Sequence, residues 1–216
     1  MLDSPAGYPT NDVEGLRSKI DSSFAALYYP WVTITNPFAP ATGSISVPPS
    51  GFVCGVYVRT DMQQGVWKAP ANQQVMGATG LERLIADTEG SALNGLGINC
   101  LRLFPGRGEL VWGARTVSSD SDWKYVNVRR YFAYLENSIE QGTQWVVFEP
   151  NGAPLWASIR NTINNFLTAE WRKGGMQGVT ASQAFFVKCN ASTMTQDDIA
   201  NGASDLFGGG GDDQAR

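Results

Sequence analysis

The side chains able to do chemistry are few and scattered. There is no histidine among the 216 residues, so the usual general base and commonest metal ligand are missing, and Ser-His-Asp, Cys-His and HExxH arrangements cannot form. What remains is Lys68 beside Trp67, the acid pairs Asp120 with Asp122 and Asp197 with Asp198, the arginines Arg115, Arg129 and Arg130, and three cysteines. A lysine desolvated against an indole is a candidate amine nucleophile. The alternative is structural: Pro70 stiffens a loop, Asn72 bonds its own backbone, and Lys68 caps a helix end or meets a carboxylate. The acid pairs fall in a polar turn and at a helix start, where carboxylates ordinarily cap and are solvated. Arg115 suits either a buried ion pair or an interface contact, and Arg129 with Arg130 reads as a solvated face or a local salt bridge.

Phosphate and metal chemistry fare no better. The run GRGELVWG at Gly106–Gly113 lacks Walker spacing, and its glycines fall in a hairpin turn instead of before a helix. Cys54, Cys100 and Cys189 are odd in number, far apart and set among apolar neighbours, which reads as free buried thiols in a reducing compartment. Neither CxxC nor Cys/His spacing is present for zinc. No catalytic, cofactor-binding or metal-binding residue is assigned, no cofactor is expected, and the chain reads as something other than an enzyme.

Composition points the same way. Apolar residues make up 43% and charged residues 17%, against roughly 25% charged in ordinary soluble domains. Low charge with many tryptophans fits a surface partly covered by partners, or simply a large aromatic core. A net charge of −4 provides no basic footprint for nucleic acid. No apolar run approaches the roughly 20 residues that span a bilayer, and the start MLDSPAGYPTNDVEG is unlike a signal peptide. The chain is expected to be made and used in the cytosol.

The elements follow from periodicity. Asn11–Ser22 reads as a short helix with Val13, Leu16 and Ile20 on one face and Thr10 or Asn11 as cap. Leu27–Thr35 reads as extended around Pro30, implying an edge or bulged strand. Ser50–Asp61 reads as a helix capped by Ser50, although its three valines also suit a strand. Ile98–Phe104 and Glu109–Arg115 read as a hairpin across Pro105–Gly108. Asn127 caps a helix to Gln141 with Val128, Phe132, Leu135 and Ile139 as its stripe and Gly142 as its stop. Trp145–Phe148 reads as a central buried strand. Asn151 caps a last long helix with Leu155, Ile159, Ile163 and Phe166 inward, ended by Gly174 and Gly175. Ala184–Cys189 returns as a strand. The fold class is α/β, a mixed sheet flanked by helices with an additional β-hairpin. Residues 1–201 read as one domain, and 202–216, rich in Gly and Asp, as a mobile tail.

The segment Ser22–Asn72 gathers Tyr28, Tyr29, Trp31, Phe38, Phe52, Tyr57 and Trp67 among prolines and small residues, with no acid-base pair. A stretch so aromatic and so unreactive reads as a surface for touching other protein.

The blocks VPPSG (Val47–Gly51), GVYVRTD (Gly55–Asp61), GVWKAPAN (Gly65–Asn72), GINCLRLFPGRG (Gly97–Gly108), VWGARTVSSD (Val111–Asp120), WKYVNVRR (Trp123–Arg130), GTQWVVFEPN (Gly142–Asn151) and AFFVKC (Ala184–Cys189), in this order, resemble contractile tail sheath proteins of phage tails, R-type bacteriocins and contractile injection systems. Members of that family are longer, so the resemblance implies the C-terminal-half domain truncated at both ends. It also implies a structural subunit that assembles helically around an inner tube and contracts to drive the tube through a target envelope. The partners implied are copies of the chain, an inner tube protein and baseplate proteins, with no nucleic acid and no membrane insertion. The implied location is the bacterial cytoplasm during assembly, then a phage tail or injection particle. The rival readings are a small α/β enzyme using Lys68 or an acid pair, and a generic protein-binding adaptor.

Overall fold

A computed structural model describes residues 1–4, 7 and 9–195. Along the chain run β1 (Leu2–Asp3), α1 (Thr10–Arg17), β2 (Leu27–Tyr29), β3 (Val32–Thr35), β4 (Ser44–Val47), α2 (Ser50–Gln64), β5 (Gln73–Gln74) and β6 (Gly80–Leu81). They are followed by α3 (Asp87–Gly95), β7 (Ile98–Phe104), β8 (Gly108–Val111), α4 (Val126–Gly142), α5 (Ala153–Arg172) and α6 (Ala181–Ala184). Internal contacts divide the chain into two units, Met1–Ala133 and Tyr134–Arg216.

The first unit carries the sheets. One is mixed, in the order β1-β2-β7-β8-β5, with β1, β2 and β7 parallel and β8 antiparallel to both neighbours. The other is antiparallel, in the order β4-β3-β6. Side chains alternate faces along a strand, and the two cores separate accordingly. Tyr28 of β2 and Leu101 of β7 point to the face where α2 contributes Val53, Val56 and Tyr57. Leu27, Tyr29, Ile98 and Cys100 point to the face where α1 contributes Val13 and α3 contributes Leu93. Helices therefore cover both faces of β2 and β7, which explains why these strands read as almost continuous apolar runs. The expected fold class, mixed sheet, flanking helices and hairpin, is found in this unit.

Several expectations are corrected. Pro30 does not sit in an edge strand: β2 is an inner strand of the mixed sheet, and the chain passes through a cis Tyr29–Pro30 peptide into β3, the middle strand of the second sheet. A residue without an N–H is tolerated there because it lies between ladders. Ser50 is the first residue of α2, which begins after Pro49 and has no side-chain cap. Thr10 likewise lies inside α1.

The second unit is helical. Leu155, Ile159, Ile163 and Leu167, at i, i+4, i+8 and i+12 along α5, form its buried stripe and pack with Val146, Cys189 and Met194. Phe166, expected in that stripe, sits at its margin and Leu167 takes the inner place. Pro154 occupies the first turn of α5, where its missing N–H costs nothing.

No strand is found among the described residues of this unit. Trp145–Phe148 forms a 3-10 turn at Gln144–Val146 followed by a tight bend at Phe148, whose φ is +70°. Val146 alone is buried, while Trp145, Val147 and Phe148 are exposed. Local bonds satisfy the backbone: Val146 N–H donates to Thr143 O at 3.0 Å and Glu149 N–H to Val146 O at 3.0 Å. A four-residue apolar run is too short for periodicity to separate strand from turn. Asn127 is not a cap, since α4 begins at Val126. Its amide donates to the Trp67 carbonyl at 2.9 Å. Residues 202–216, expected to be mobile, lie outside the described residues.

Candidate functional site

A polar network links α4, α2 and β2 in the first unit. Arg130 of α4 grips Asp61 of α2 through two bonds, and its guanidinium lies 4.6 Å from the centre of the Tyr57 ring. The Tyr57 hydroxyl meets that of Tyr28 at 2.5 Å. Burial pushes the Tyr57 phenol up to about 12, and burial with the neighbouring Tyr57 holds Tyr28 well above the usual range. Both phenols are neutral hydrogen-bonding groups at physiological pH, and every partner is accounted for within the fold. Nearby, buried Asn99 of β7 uses its amide three ways: Nδ2 donates to Leu27 O at 3.2 Å and to Arg115 O at 2.7 Å, and Oδ1 accepts from Arg115 N–H at 2.7 Å. Such networks fix one arrangement of strands and loops.

The candidate reactive residues do not come together. Lys68 is exposed in the turn after α2, its N–H bonded to Gly65 O at 3.1 Å, and no carboxylate converges on it among the described residues. Asp120 and Asp122 are exposed, and Asp120 Oδ1 accepts from Asp122 N–H at 2.9 Å, an ordinary turn role. Asp197 and Asp198 lie outside the described residues. Gly106 and Gly108 adopt positive φ in the β7-β8 hairpin, away from any helix start. Arg129 stacks on Phe24 and Trp123, with its guanidinium carbon 3.9 Å and 4.4 Å from the ring centres, so it is held by aromatic faces and is not a free solvated charge. Cys100 and Cys189 are buried thiols as expected, while Cys54 is exposed on the outer side of α2.

The aromatic segment divides. Tyr28, Tyr29 and Tyr57 belong to the core and Trp31, Phe52 and Trp67 are half-buried, so these six rings are at least partly taken up by the fold itself. Phe38 is 92% exposed, and Val58 and Met62, one turn apart on α2, are also outward. In the second unit Val147, Phe148, Val179 and Phe186 are exposed.

The run Ala184–Cys189, expected as a strand, has from Phe185 onward the burial of a strand without a ladder. Phe185, Val187 and Cys189 face the core of the second unit, whereas Phe186, 86% exposed, and Lys188 face away. Phe185 is extended, with φ −156° and ψ 164°. No backbone hydrogen bond is made by residues 186–188 among the described residues. An apolar face seated on a core beside an unused backbone edge is a template for another strand. The alternation in AFFVKC carries this signal in sequence; that it lacks a partner does not show there.

An α/β fold whose described reactive residues are dispersed and whose outer features include exposed apolar side chains and an extended run without a ladder fits the class of protein-contact modules. The chain is a member of the phage tail sheath family: the phage tail sheath protein central domain matches residues 6–117 and the phage tail sheath C-terminal domain matches residues 118–201. It is 25% identical over 192 residues to the tail sheath protein of Vibrio phage KVP40, covering 82% of this chain and 29% of that protein. Among solved structures it resembles the PVC sheath of an extracellular contractile injection system in the contracted state, at 36% identity and a TM-score of 0.85, covering 95% of this chain and 57% of that one. It also resembles the anti-feeding prophage helical sheath in the contracted state, at 36% identity and a TM-score of 0.81, covering 95% of this chain and 55% of that one. The chain thus spans under a third of the phage relative and little more than half of the two solved sheath chains.

Proposed function

We propose that this chain is the C-terminal-half module of a contractile sheath subunit, with a structural role and no catalytic one. The observation that carries the reading is the likeness over 95% of the chain to subunits solved in contracted sheaths. In this reading identical subunits assemble helically around an inner tube, engage a baseplate, and pass from an extended lattice to a contracted one that drives the tube through an envelope. Assembly takes place in the bacterial cytoplasm, and the chain then forms part of a phage tail or injection particle. The driving energy resides in the difference between two sets of subunit contacts, a bistable interface without nucleotide chemistry.

Strand addition at Phe185–Cys189 supplies one such contact. About four ladder bonds contribute roughly 2–6 kcal/mol, against an association cost of about 4–15 kcal/mol. A free pair of subunits is therefore unstable, but the same strand suffices where lattice neighbours hold it in place. The enzyme alternative needs Lys68 and a carboxylate in one cleft, and the exposed position of Lys68 counts against it.

The test places this chain in a chimera, replacing the matching segment of the anti-feeding prophage sheath subunit. Lys188→Pro removes one unused N–H and Phe186→Lys removes an exposed ring. Both variants are expected to fold with an unchanged Tm and to lose incorporation into sheaths. Equal incorporation would remove the strand from the account.

A further inference from the structure

Three cationic side chains of the first unit line one cleft. A cleft of about 260 Å³ between the end of α1, the turn before β7 and the loop 115–124 is lined by Arg17, Arg115 and Lys124 together with Ser118, Ser121 and Asp120. All three cationic side chains are half-buried, and none makes an ion pair within 4 Å among the described residues. Arg17 is braced by neutral acceptors, Nε on Leu96 O at 2.7 Å and Nη1 on Ile20 O at 2.6 Å, and its charge also acts on Asp21, whose carboxyl is held below its usual range by the Ser119 bonds first and by Arg17 to a lesser degree. An antiparallel bridge between Arg115 and Tyr125, with Thr116 N–H on Lys124 O at 3.0 Å, holds the Arg115 and Lys124 backbones side by side. Of the acids nearby, Asp21 is engaged by the Ser119 hydroxyl and N–H, and Asp120 by the Asp122 N–H. Gly97 lines the floor with φ +83°. A Cβ there would come within 2.9 Å of Thr116 O and 3.4 Å of Arg17 Nε, so the wall at this point has no room for a side chain.

With Asp120 in the lining and Asp21 beside Arg17, three cations still leave a net positive charge in one half-buried cleft, which attracts an anion. We propose that this cleft is a receptor for a carboxylate side chain presented by an adjacent copy of the chain. A guanidinium fork matches the two oxygens of a carboxylate. Asp120 on the rim disfavours a doubly charged phosphate more than a singly charged carboxylate. The chain carries 20 acidic against 16 basic residues, so a second copy is a ready source of exposed carboxylates. Only the ownership of the carboxylate rests on the sheath reading; the anion site stands without it.

The first arm titrates the 216-residue chain with end-blocked glutamate, with end-blocked glutamine as the neutral control and with inorganic phosphate, at matched ionic strength, following backbone amide shifts. Saturable shifts confined to Gly97 and Ser118–Ser121 are expected with the glutamate and absent with the glutamine. They should weaken by about tenfold or more in Arg115→Ala/Lys124→Ala and less in Arg115→Lys, which keeps the charge but not the fork, with Tm showing that each variant folds. No saturable shift, or saturation by phosphate alone, overturns the proposal. The second arm places Arg115→Ala/Lys124→Ala in the sheath chimera. Assembly equal to that of the unsubstituted chimera overturns the adjacent copy as the source, while failure of the unsubstituted chimera to assemble strikes the sheath reading and leaves the first arm to decide the site.

Discussion

Arg130 and Asp61 meet in a two-pronged ion pair, with Nη1–Oδ1 at 3.0 Å and Nη2–Oδ2 at 2.5 Å, that ties α4 to α2. The pair is only partly shielded, with side-chain exposures of 29% and 22%, so its loss should fall below the cost of breaking a fully buried pair. Arg130→Ala is expected to lower stability by about 1–3 kcal/mol in urea unfolding. Arg130→Lys should recover part of the loss, because an ammonium keeps the charge but not the fork.

The phenols below that pair make the protein sensitive to alkali. Their folded-state pKa values lie above the ordinary value of 10, for Tyr57 at about 12, so the unfolded chain releases these protons first. Stability is then fully present below pH 10 and falls as pH rises to about 12, by about 1.4 kcal/mol per pH unit for each phenol in the window. Cys100, raised by burial from 9.0 to about 12, starts the decline near pH 9. Urea midpoints from pH 8 to 11 should fall, and a flat profile would contradict the buried assignment of these groups.

Gly113 packs where a methyl group has no room. A Cβ there would lie 2.8 Å from Asn99 Oδ1 and 3.0 Å from Asn99 Cα. Gly113→Ala should push Asn99 off its three bonds and cost about 1–3 kcal/mol, read from thermal unfolding.

The thiols should separate by reactivity. A maleimide is expected to label Cys54 in the native protein and to reach Cys100 and Cys189 only in denaturant, since only Cys54 is exposed. Mass spectrometry of the labelled peptides checks this, and native labelling of Cys100 would contradict the packing of the mixed sheet.

What the sequence made legible was whatever repeats locally. The stripe of α5 follows from period 3.6, and the β7-β8 hairpin from β-rich runs around Pro105–Gly108. The Pro30 region was misread because Tyr29 and Val32 belong to different sheets, a long-range fact with no local mark. Trp145–Phe148 misled because apolar residues on a turn look like a buried strand until their exposure is known. The aromatic density of Ser22–Asn72 indicated contact, but Tyr28 and Tyr57 spend theirs on the core. Asn99 within INCLRLF was a usable signal, since an amide inside an apolar strand must find partners. The pairing of Asp61 with Arg130, 69 residues apart, had none. For the reactive residues, the absence of histidine already excluded most arrangements, whereas the unpaired state of Phe185–Cys189 depends on what the rest of the chain leaves uncovered.

The central claim is that this chain works by contact with copies of itself in a sheath lattice. Electron microscopy of the anti-feeding prophage sheath chimera carrying residues 1–216 tests it most directly. The account expects contracted sheath tubes with Phe185–Cys189 paired to a strand of a neighbouring subunit. A chimera that folds with a normal Tm yet stays monomeric under conditions where the parent sheath assembles would contradict it.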